Sequence, residues 1–159
     1  MTKLLMIHPD KCTGCENCML ACSFNHEKKF RPAGTRIRVI TWEREGISVP
    51  MMCQQCGDAP CIKVCPTGAM HRMVSAGVVD WDMKKCILCK MCTHACPFGN
   101  AVYDSLTDSI LKCDECDGDP ACVRMCPNKA LEFVEDTIST RSRTKAFAGK
   151  FKDAFKEVS

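Results

Sequence analysis

Residues 86–97 read Cys-Ile-Leu-Cys-Lys-Met-Cys-Thr-His-Ala-Cys-Pro, so three cysteines fall within seven residues and a fourth stands directly before a proline. The spacing is C-x2-C-x2-C-x3-C-P, and its cysteines are Cys86, Cys89, Cys92 and Cys96. A tight loop of this spacing can bring three thiolates to one metal centre, with backbone N–H groups directed at the sulfur atoms. The proline then turns the chain away, because its φ is fixed and it has no N–H.

All 16 cysteines of the 159-residue chain belong to four such groups, of which residues 86–97 are group three. Group one has the same short spacing and contains Cys12, Cys15, Cys18 and Cys22. Groups two and four have the longer form C-x2-C-x4/5-C-x3-C-P. They contain Cys53, Cys56, Cys61 and Cys65, and Cys113, Cys116, Cys122 and Cys126, respectively. A lysine precedes the first cysteine in three groups, which indicates internal repetition: Lys11, Lys85 and Lys112.

Iron–sulfur chemistry accounts for this pattern. Three cysteines of a short run ligate one cubane, and in the bacterial run with this spacing the fourth ligates the other cluster. Each pair of groups is therefore predicted to build two clusters with crossed ligands, giving four [4Fe-4S] clusters bound through the sixteen cysteines. The spacing alone does not say which groups pair. Zinc is the alternative metal, but zinc sites use pairs of C-x2-C separated by roughly 12–20 residues.

The composition excludes several other classes of protein. Aromatic residues make up only 6% of the chain, so the core must depend on the cysteines and their metal. The formal net charge is +3, and four cubanes with their thiolates would change it to about −5, which disfavours nucleic acid binding. Apolar runs fall short of the ~18 residues of a membrane helix, and the N-terminal apolar stretch is too short for a secretory signal. We therefore expect a cytoplasmic protein with reduced thiols.

Short strand-like segments flank the cysteine loops. They cover residues 4–8, 36–42, 47–51, 69–73, 77–81, 101–103, 109–111 and 131–134, and short helical turns are predicted over 93–96 and 121–126. The predicted fold class is α+β: a loop-rich, duplicated bacterial ferredoxin-like core with a C-terminal helical tail. The predicted boundaries are 1–136 for the four-cluster core and 137–159 for the tail.

The tail contains no cysteine and is basic. Its apolar residues recur at helical spacing, which predicts a stripe along one helix face: Phe147, Phe151, Phe155 and Val158. The stripe is predicted to dock on a partner subunit or on a second copy of the chain. The alternative is that it folds back on its own core.

Four groups in the order short, long, short, long, with Cys-Pro closing the last three, resemble the four-cluster polyferredoxin subunits of bacterial oxidoreductases. That family includes the electron-transfer subunits of formate dehydrogenases, dimethyl sulfoxide reductase, some hydrogenases and tungsten aldehyde oxidoreductases. The resemblance covers residues 1–136. One departure is Ser23, which follows Cys22 where the other groups have proline, so the direction of the chain there is open.

The resemblance implies that group one pairs with group four and group two with group three. Cluster 1 would then use Cys12, Cys15, Cys18 and Cys126, and cluster 2 would use Cys22, Cys113, Cys116 and Cys122. Cluster 3 would use Cys53, Cys56, Cys61 and Cys96, and cluster 4 would use Cys65, Cys86, Cys89 and Cys92.

An electron-transfer role without catalysis follows, because the sequence contains no nucleophile–base pair, phosphate loop or dinucleotide fingerprint. The chain looks most similar to the small iron–sulfur subunit of a tungsten-dependent aldehyde oxidoreductase. The resemblance implies a large tungsto- or molybdopterin catalytic subunit as partner, and a subunit that binds FAD and NAD as a further one. The alternatives are a freely diffusing polyferredoxin, an iron–sulfur subunit of a formate dehydrogenase, hydrogenase or dimethyl sulfoxide reductase complex, and, remotely, a zinc-binding scaffold.

Overall fold

Residues 3–74, 77–135 and 137, which the computed structural model describes, form four two-stranded antiparallel sheets linked by short helices and loops. The strands are β1 (Lys3–Ile7), β2 (Ile37–Trp42), β3 (Ile47–Met52), β4 (Met70–Arg72), β5 (Val79–Trp81), β6 (Ala101–Asp104), β7 (Ser109–Lys112) and β8 (Leu131–Glu135). The α-helices are α1 (Asn17–Glu27), α2 (Pro60–Lys63), α3 (Met91–Ala95) and α4 (Ala121–Arg124). Each predicted strand segment overlaps one of these strands. The small mixed α/β architecture confirms the fold class at that level, whereas the duplication stays a prediction.

The sheets divide the described chain into two nested halves. β1 pairs with β8, in a register that joins Lys3 to Glu135 and Ile7 to Leu131, and α1 packs against α4. The outer half therefore unites groups one and four. The inner half lies between them in sequence, contains the hairpins β4–β5 and β6–β7, and packs α2 against α3, so it unites groups two and three.

Cysteine thiols form a large part of the core. In the outer half Ile37, Met52 and Leu131 are almost fully buried, and they pack with the buried cysteines Cys18, Cys22, Cys113 and Cys122. In the inner half Met70 and Ile110 are 1% exposed and pack around Cys92. The chain has few aromatic side chains, so the grouped cysteine side chains occupy the part of the core that aromatic rings fill in other small domains.

Two helices, α1 and the four-residue α2, were not predicted from the sequence, and α1 is the longer. It follows Glu16, which has a left-handed φ of 59°, and it ends before Lys28, whose N–H donates to the Phe24 carbonyl at 2.9 Å. The helix continues past Cys22 because Ser23 replaces the proline of the other groups. Ser23 is fully buried, and its hydroxyl donates to the Leu20 carbonyl (3.0 Å) and accepts the Arg31 N–H (3.3 Å).

We expect Ser23→Pro, which imposes the residue of the other groups, to destabilise the fold by about 3 kcal/mol. A proline inside α1 removes an N–H and its ring contacts the carbonyl four residues earlier. Thermal unfolding followed by the cluster absorbance measures this, with the reverse change Pro97→Ser in group three as the matched control. Pro97 is exposed and stands outside any helix, so its replacement should cost under about 1 kcal/mol. Equal losses in the two variants would contradict the helix argument.

An ion-pair network joins the two halves. The Arg31 guanidinium, just beyond α1, donates to Glu27 Oε2 at 2.7 Å and to Asp104 Oδ2 at 2.6 Å, and Asp104 lies in the inner half on β6. The hydrogen bond from Arg31, followed by one from Thr107, lowers the pKa of Asp104 to about 2. The carboxylate is therefore ionised at any neutral pH and holds the end of α1 against the β6–β7 hairpin.

The four helices are short, and α1 with 11 residues is the longest. None of those in the described part of the chain has the length and apolar character needed to cross a bilayer. The predicted tail helix and its residues Phe147, Phe151, Phe155 and Val158 lie outside the described residues.

Candidate metal centres

Two pockets are each lined by four cysteines, three from one group and one from another. Set 1 lines a pocket of about 330 Å³, partly open to solvent, with Cys12, Cys15, Cys18 and Cys126. Set 4 lines a similar pocket of about 320 Å³ with Cys65, Cys86, Cys89 and Cys92. Chain segments more than 100 residues apart in sequence thus meet at set 1, because β1–β8 pairing closes the outer half.

Sets 2 and 3 have no exposed cysteine: three of the four in set 2 are buried, and all four in set 3 are half-buried. In set 2, burial raises the pKa of Cys113 far above its usual value, and negative charge on Cys122 and Cys22 raises it further; Cys22 acts in the same way on Cys116. In set 3, burial raises the pKa of Cys56 and of Cys61, and both thiols also feel the charges of Cys53 and Cys96. These interactions link the cysteines predicted for clusters 2 and 3, which are called sets 2 and 3: Cys22, Cys113, Cys116 and Cys122, and Cys53, Cys56, Cys61 and Cys96.

The thiols in these sets fit a cationic metal core. Burial raises the pKa of Cys18 and of Cys122 to about 12 and that of Cys92 to about 11, and neighbouring cysteines of the same set add to each increase. Four thiolates in such a pocket repel one another and lack solvation, so a positive charge must lie among them before all four can ionise. Iron or zinc would satisfy this requirement, and the spacing of the groups selects iron–sulfur clusters.

The last cysteine of every group accepts a backbone N–H at its sulfur. The donors are Met70 to Cys65 (3.4 Å), Asn100 to Cys96 (3.3 Å), Ala130 to Cys126 (3.2 Å) and Arg36 to Cys22 (3.3 Å). In three groups the donor follows four or five residues later, after the Cys-Pro turn. In group one it comes 14 residues later, because α1 carries the chain past Cys22. Each of these sulfurs thus has a backbone hydrogen-bond donor that orients it as a ligand.

The short loops of groups one and three share an unusual backbone. Gly14 and Glu16 have φ of 69° and 59°, and their counterparts Leu88 and Lys90 have φ of 56° and 61°. Left-handed residues alternating with right-handed ones make concave nests of N–H groups that bind anionic atoms. Two non-glycine residues held at positive φ in one loop imply that a ligand, rather than local preference, determines the shape of group three.

Three polar side chains lie beside the sets in contacts that the sequence does not predict. His26 Nε2 lies 3.6 Å from Cys116 Sγ and 3.6 Å from Asp114 Oδ1, and these three residues could by themselves bind a metal ion. Because Cys116 belongs to set 2, His26 and Asp114 instead border that centre. Lys112 is the third side chain. The contacts of His26 join residues 88 to 90 positions apart, so local spacing in the sequence does not predict them. The burial of Lys112 likewise becomes visible only in the structure.

Comparison with known families agrees with this geometry. Residues 45–136 match one model of a 4Fe-4S dicluster domain and residues 11–70 match another. The chain belongs to the 4Fe-4S dicluster family. Family membership confirms the predicted iron–sulfur chemistry and the polyferredoxin resemblance, so this dicluster protein carries multiple [4Fe-4S] clusters.

Several curated proteins are similar to the dicluster chain. The aliphatic sulfonate oxidoreductase polyferredoxin-like subunit of Pyrococcus furiosus is 41% identical over 143 residues, which is 88% of this chain and 82% of the relative. Formate hydrogenlyase subunit 2 of Escherichia coli K12 is 34% identical, covering 96% of this chain and 94% of the relative. The NADH-dependent phenylglyoxylate dehydrogenase subunit beta of Aromatoleum evansii is 39% identical, but the chain spans only 29% of its length.

Among solved structures, the active site complex BamBC of benzoyl coenzyme A reductase with 1,5-dienoyl-CoA contains a similar chain. The TM-score is 0.53 with 28% identity, over 86% of this chain and 78% of that one. The relatives are named as subunits of oxidoreductases, so the dicluster family occurs in multi-subunit redox complexes.

Proposed function

We propose that this protein is a non-catalytic electron-transfer subunit of a cytoplasmic oxidoreductase complex, with one [4Fe-4S] cluster in each of sets 1 to 4. The observation that carries the proposal is that Cys12, Cys15, Cys18 and Cys126 line one pocket while Cys65, Cys86, Cys89 and Cys92 line another, each combining three cysteines of one group with one of a second. When bound, each cluster accepts and releases one electron at a time. The chain holds the clusters, encloses them and directs N–H groups at their sulfur ligands.

The sets lie in series. Cys122 of set 2 feels the charge of Cys18 of set 1, and Cys53 of set 3 packs against the core that contains Cys22 and Cys113 of set 2. Sets 3 and 4 adjoin through the crossed ligands of groups two and three, because Cys92 and Cys96 leave the same short helix α3. The order of the sets supports a single row of clusters from 1 to 4.

Both ends of this row reach the surface. Of the sixteen cysteines, Cys15 in set 1 and Cys89 in set 4 are exposed, whereas sets 2 and 3 have no exposed member. Exposed apolar side chains surround Cys89, among them Ile87 at 63% and Met91 at 50%. Exposed apolar side chains at a terminal cluster favour contact with a redox partner. This arrangement supports electron entry at one end and exit at the other.

The partner that we propose is a large tungsto- or molybdopterin subunit, with aldehyde oxidation as its reaction. A subunit that binds FAD and NAD would take electrons at the other end, and the NADH-dependent relative supports this second partner. The sulfonate oxidoreductase relative equally supports a different substrate for the catalytic subunit. We further propose that residues 137–159 form a separate tail that docks on a partner subunit.

Mild anaerobic purification of the tagged chain from its native host tests the function. We expect a large subunit to co-purify with the chain, and elemental analysis to find tungsten or molybdenum beside iron. A brown protein that purifies alone and bleaches with dithionite would instead indicate a freely diffusing polyferredoxin. Zinc in place of iron, without visible colour, would overturn the proposal in favour of the zinc scaffold.

A further inference from the structure

The lysine that precedes group four has an environment unlike that of the lysines before groups one and three. Lys11 and Lys85 are exposed, and the Lys85 side chain retains 62% of its exposure. Lys112 is only 6% exposed. Burying an ammonium group is costly unless its hydrogen bonds are satisfied, so its position at the end of β7 calls for a specific role.

Lys112 belongs to a polar bridge between sets 2 and 3. Its ammonium donates to the Val79 carbonyl and to the Cys113 carbonyl, the second at 2.8 Å. Gln55 contacts the same two residues: its Nε2 donates to the Cys113 carbonyl at 3.0 Å and its Oε1 accepts the Val79 N–H at 2.8 Å. Gln55 lies between Cys53 and Cys56 in the loop of set 3, whereas Cys113 belongs to set 2.

The Lys112 ammonium lies beside the loop of set 3. The Val79 carbonyl that accepts its hydrogen bond belongs to the residue whose N–H donates to Gln55, between Cys53 and Cys56. On the side of set 2 the acidic Asp114 adds negative charge, and the Arg36 guanidinium lies 3.4 Å from its carboxylate. Both hydrogen bonds of the Lys112 ammonium go to backbone carbonyls rather than to a carboxylate. The buried Glu115 is the carboxylate on which Lys112 acts: burial raises its pKa to about 6, and the charge of Lys112 opposes that increase.

We propose that Lys112 sets the reduction potential of the set 3 cluster, and so favours electron transfer between sets 2 and 3, while Gln55 positions the two loops. The inference rests on the proposed function. In this transfer one electron leaves the set 2 cluster, which is oxidised, and reaches the set 3 cluster, which is reduced, and no proton moves. A buried cation stabilises the added negative charge far more than an exposed one, because the local dielectric constant is low.

Redox titration of the full chain, monitored by EPR, tests the role of Lys112. We expect Lys112→Met to lower the reduced-to-oxidised ratio of the set 3 cluster about tenfold at a fixed solution potential, a shift of ~59 mV for one electron. Lys112→Arg keeps the charge and should stay within about threefold of the unaltered protein, which is ~28 mV by the same constant. Lys85→Met removes an exposed lysine from the equivalent position and should leave the set 3 signal unchanged. Cys61→Ser, which alters a ligand of set 3, identifies that signal.

Several results would overturn the inference. The first is a shift of the set 3 potential in Lys112→Met that is no larger than in Lys85→Met. The second is a shift in Lys112→Arg as large as that in Lys112→Met. The third is a shift that affects all clusters equally. If Lys112→Met loses iron, Lys112→Gln replaces it, because the glutamine amide keeps a hydrogen-bond donor without the charge. Loss of clusters in Lys112→Gln as well would assign Lys112 a purely structural role. An iron-free purified protein would refute the proposed function itself, whereas four intact clusters without the shift would refute only the role of Lys112.

Discussion

Anaerobic removal of iron abolishes the cooperative fold, because the clusters are the centre of the core. In the outer half the buried residues are mostly cysteines, and the sheets have only two strands each, too few for independent stability. Without metal, the thiols line pockets of about 330 and 320 Å³ and have no metal bonds to hold the surrounding loops together. Since metal binding supplies the folding free energy in such domains, we expect the loss of the whole of it, at least ~5 kcal/mol.

Far-UV circular dichroism and hydrogen exchange measure this result. The apo chain should lack a thermal transition and should exchange its β1–β8 amides without protection. Reduction with dithionite is the control, because it changes the charge of the clusters and leaves the iron in place, so the spectrum should stay that of the folded protein. An apo chain that still unfolds cooperatively would show that the apolar residues around Ile37 and Met70 suffice for the fold.

Pairs of cysteine substitutions should distinguish two arrangements: one in which clusters share ligands between groups, and one in which each group binds its own cluster. Cys15 and Cys126 belong to different groups but to the same set, so Cys15→Ala with Cys126→Ala should remove one cluster and leave ~12 of ~16 irons. If each group held its own cluster, the same pair would remove two clusters and leave ~8 irons. The two arrangements thus differ by one whole cluster.

The reciprocal pair is the matched control. Cys116 and Cys126 both belong to group four, but they lie in set 2 and set 1 respectively. Cys116→Ala with Cys126→Ala should therefore leave ~8 irons if ligands cross and ~12 if they do not. Iron analysis and the number of EPR signals in anaerobically purified protein give the count. Finding ~12 irons in the second pair and ~8 in the first would refute the pairing of groups one and four.

The sequence predicted those elements whose determinants are local. The hairpin of β2 and β3 follows from two apolar, strand-forming runs on either side of the turn at residues 44–46, and the cysteine spacing predicts the loops. Ser23 illustrates the limit of this reasoning. Its presence showed that group one departs from the common pattern, but not that an 11-residue helix would replace the turn. That helix depends on buried hydrogen bonds to Leu20 and Arg31, which no periodicity encodes.

The centres themselves were only partly accessible from the sequence. The number of clusters could be predicted because the sixteen cysteines divide into four groups of four, and each cubane takes four cysteine ligands. Which groups combine depends on long-range contacts, such as that between α1 and α4, and came from resemblance. The bridge formed by Gln55 and Lys112 could not be anticipated at all, since an identical Lys-Cys pair at Lys85 is exposed. Burial, rather than residue type, distinguishes the two lysines.

Because the inner half lies between the two parts of the outer half in sequence, the cysteine sets are completed in a fixed order during translation. Residues 53–96 contain every thiol of sets 3 and 4, so both centres can be filled while the ribosome is still translating the remainder. Cys12, Cys15 and Cys18 emerge first of all, yet they must wait for Cys126 before their set is complete. All four thiols of group one therefore stay without their partners until group four has been translated, and unprotected thiols are open to oxidation. Oxygen during synthesis should consequently damage the oldest part of the chain first.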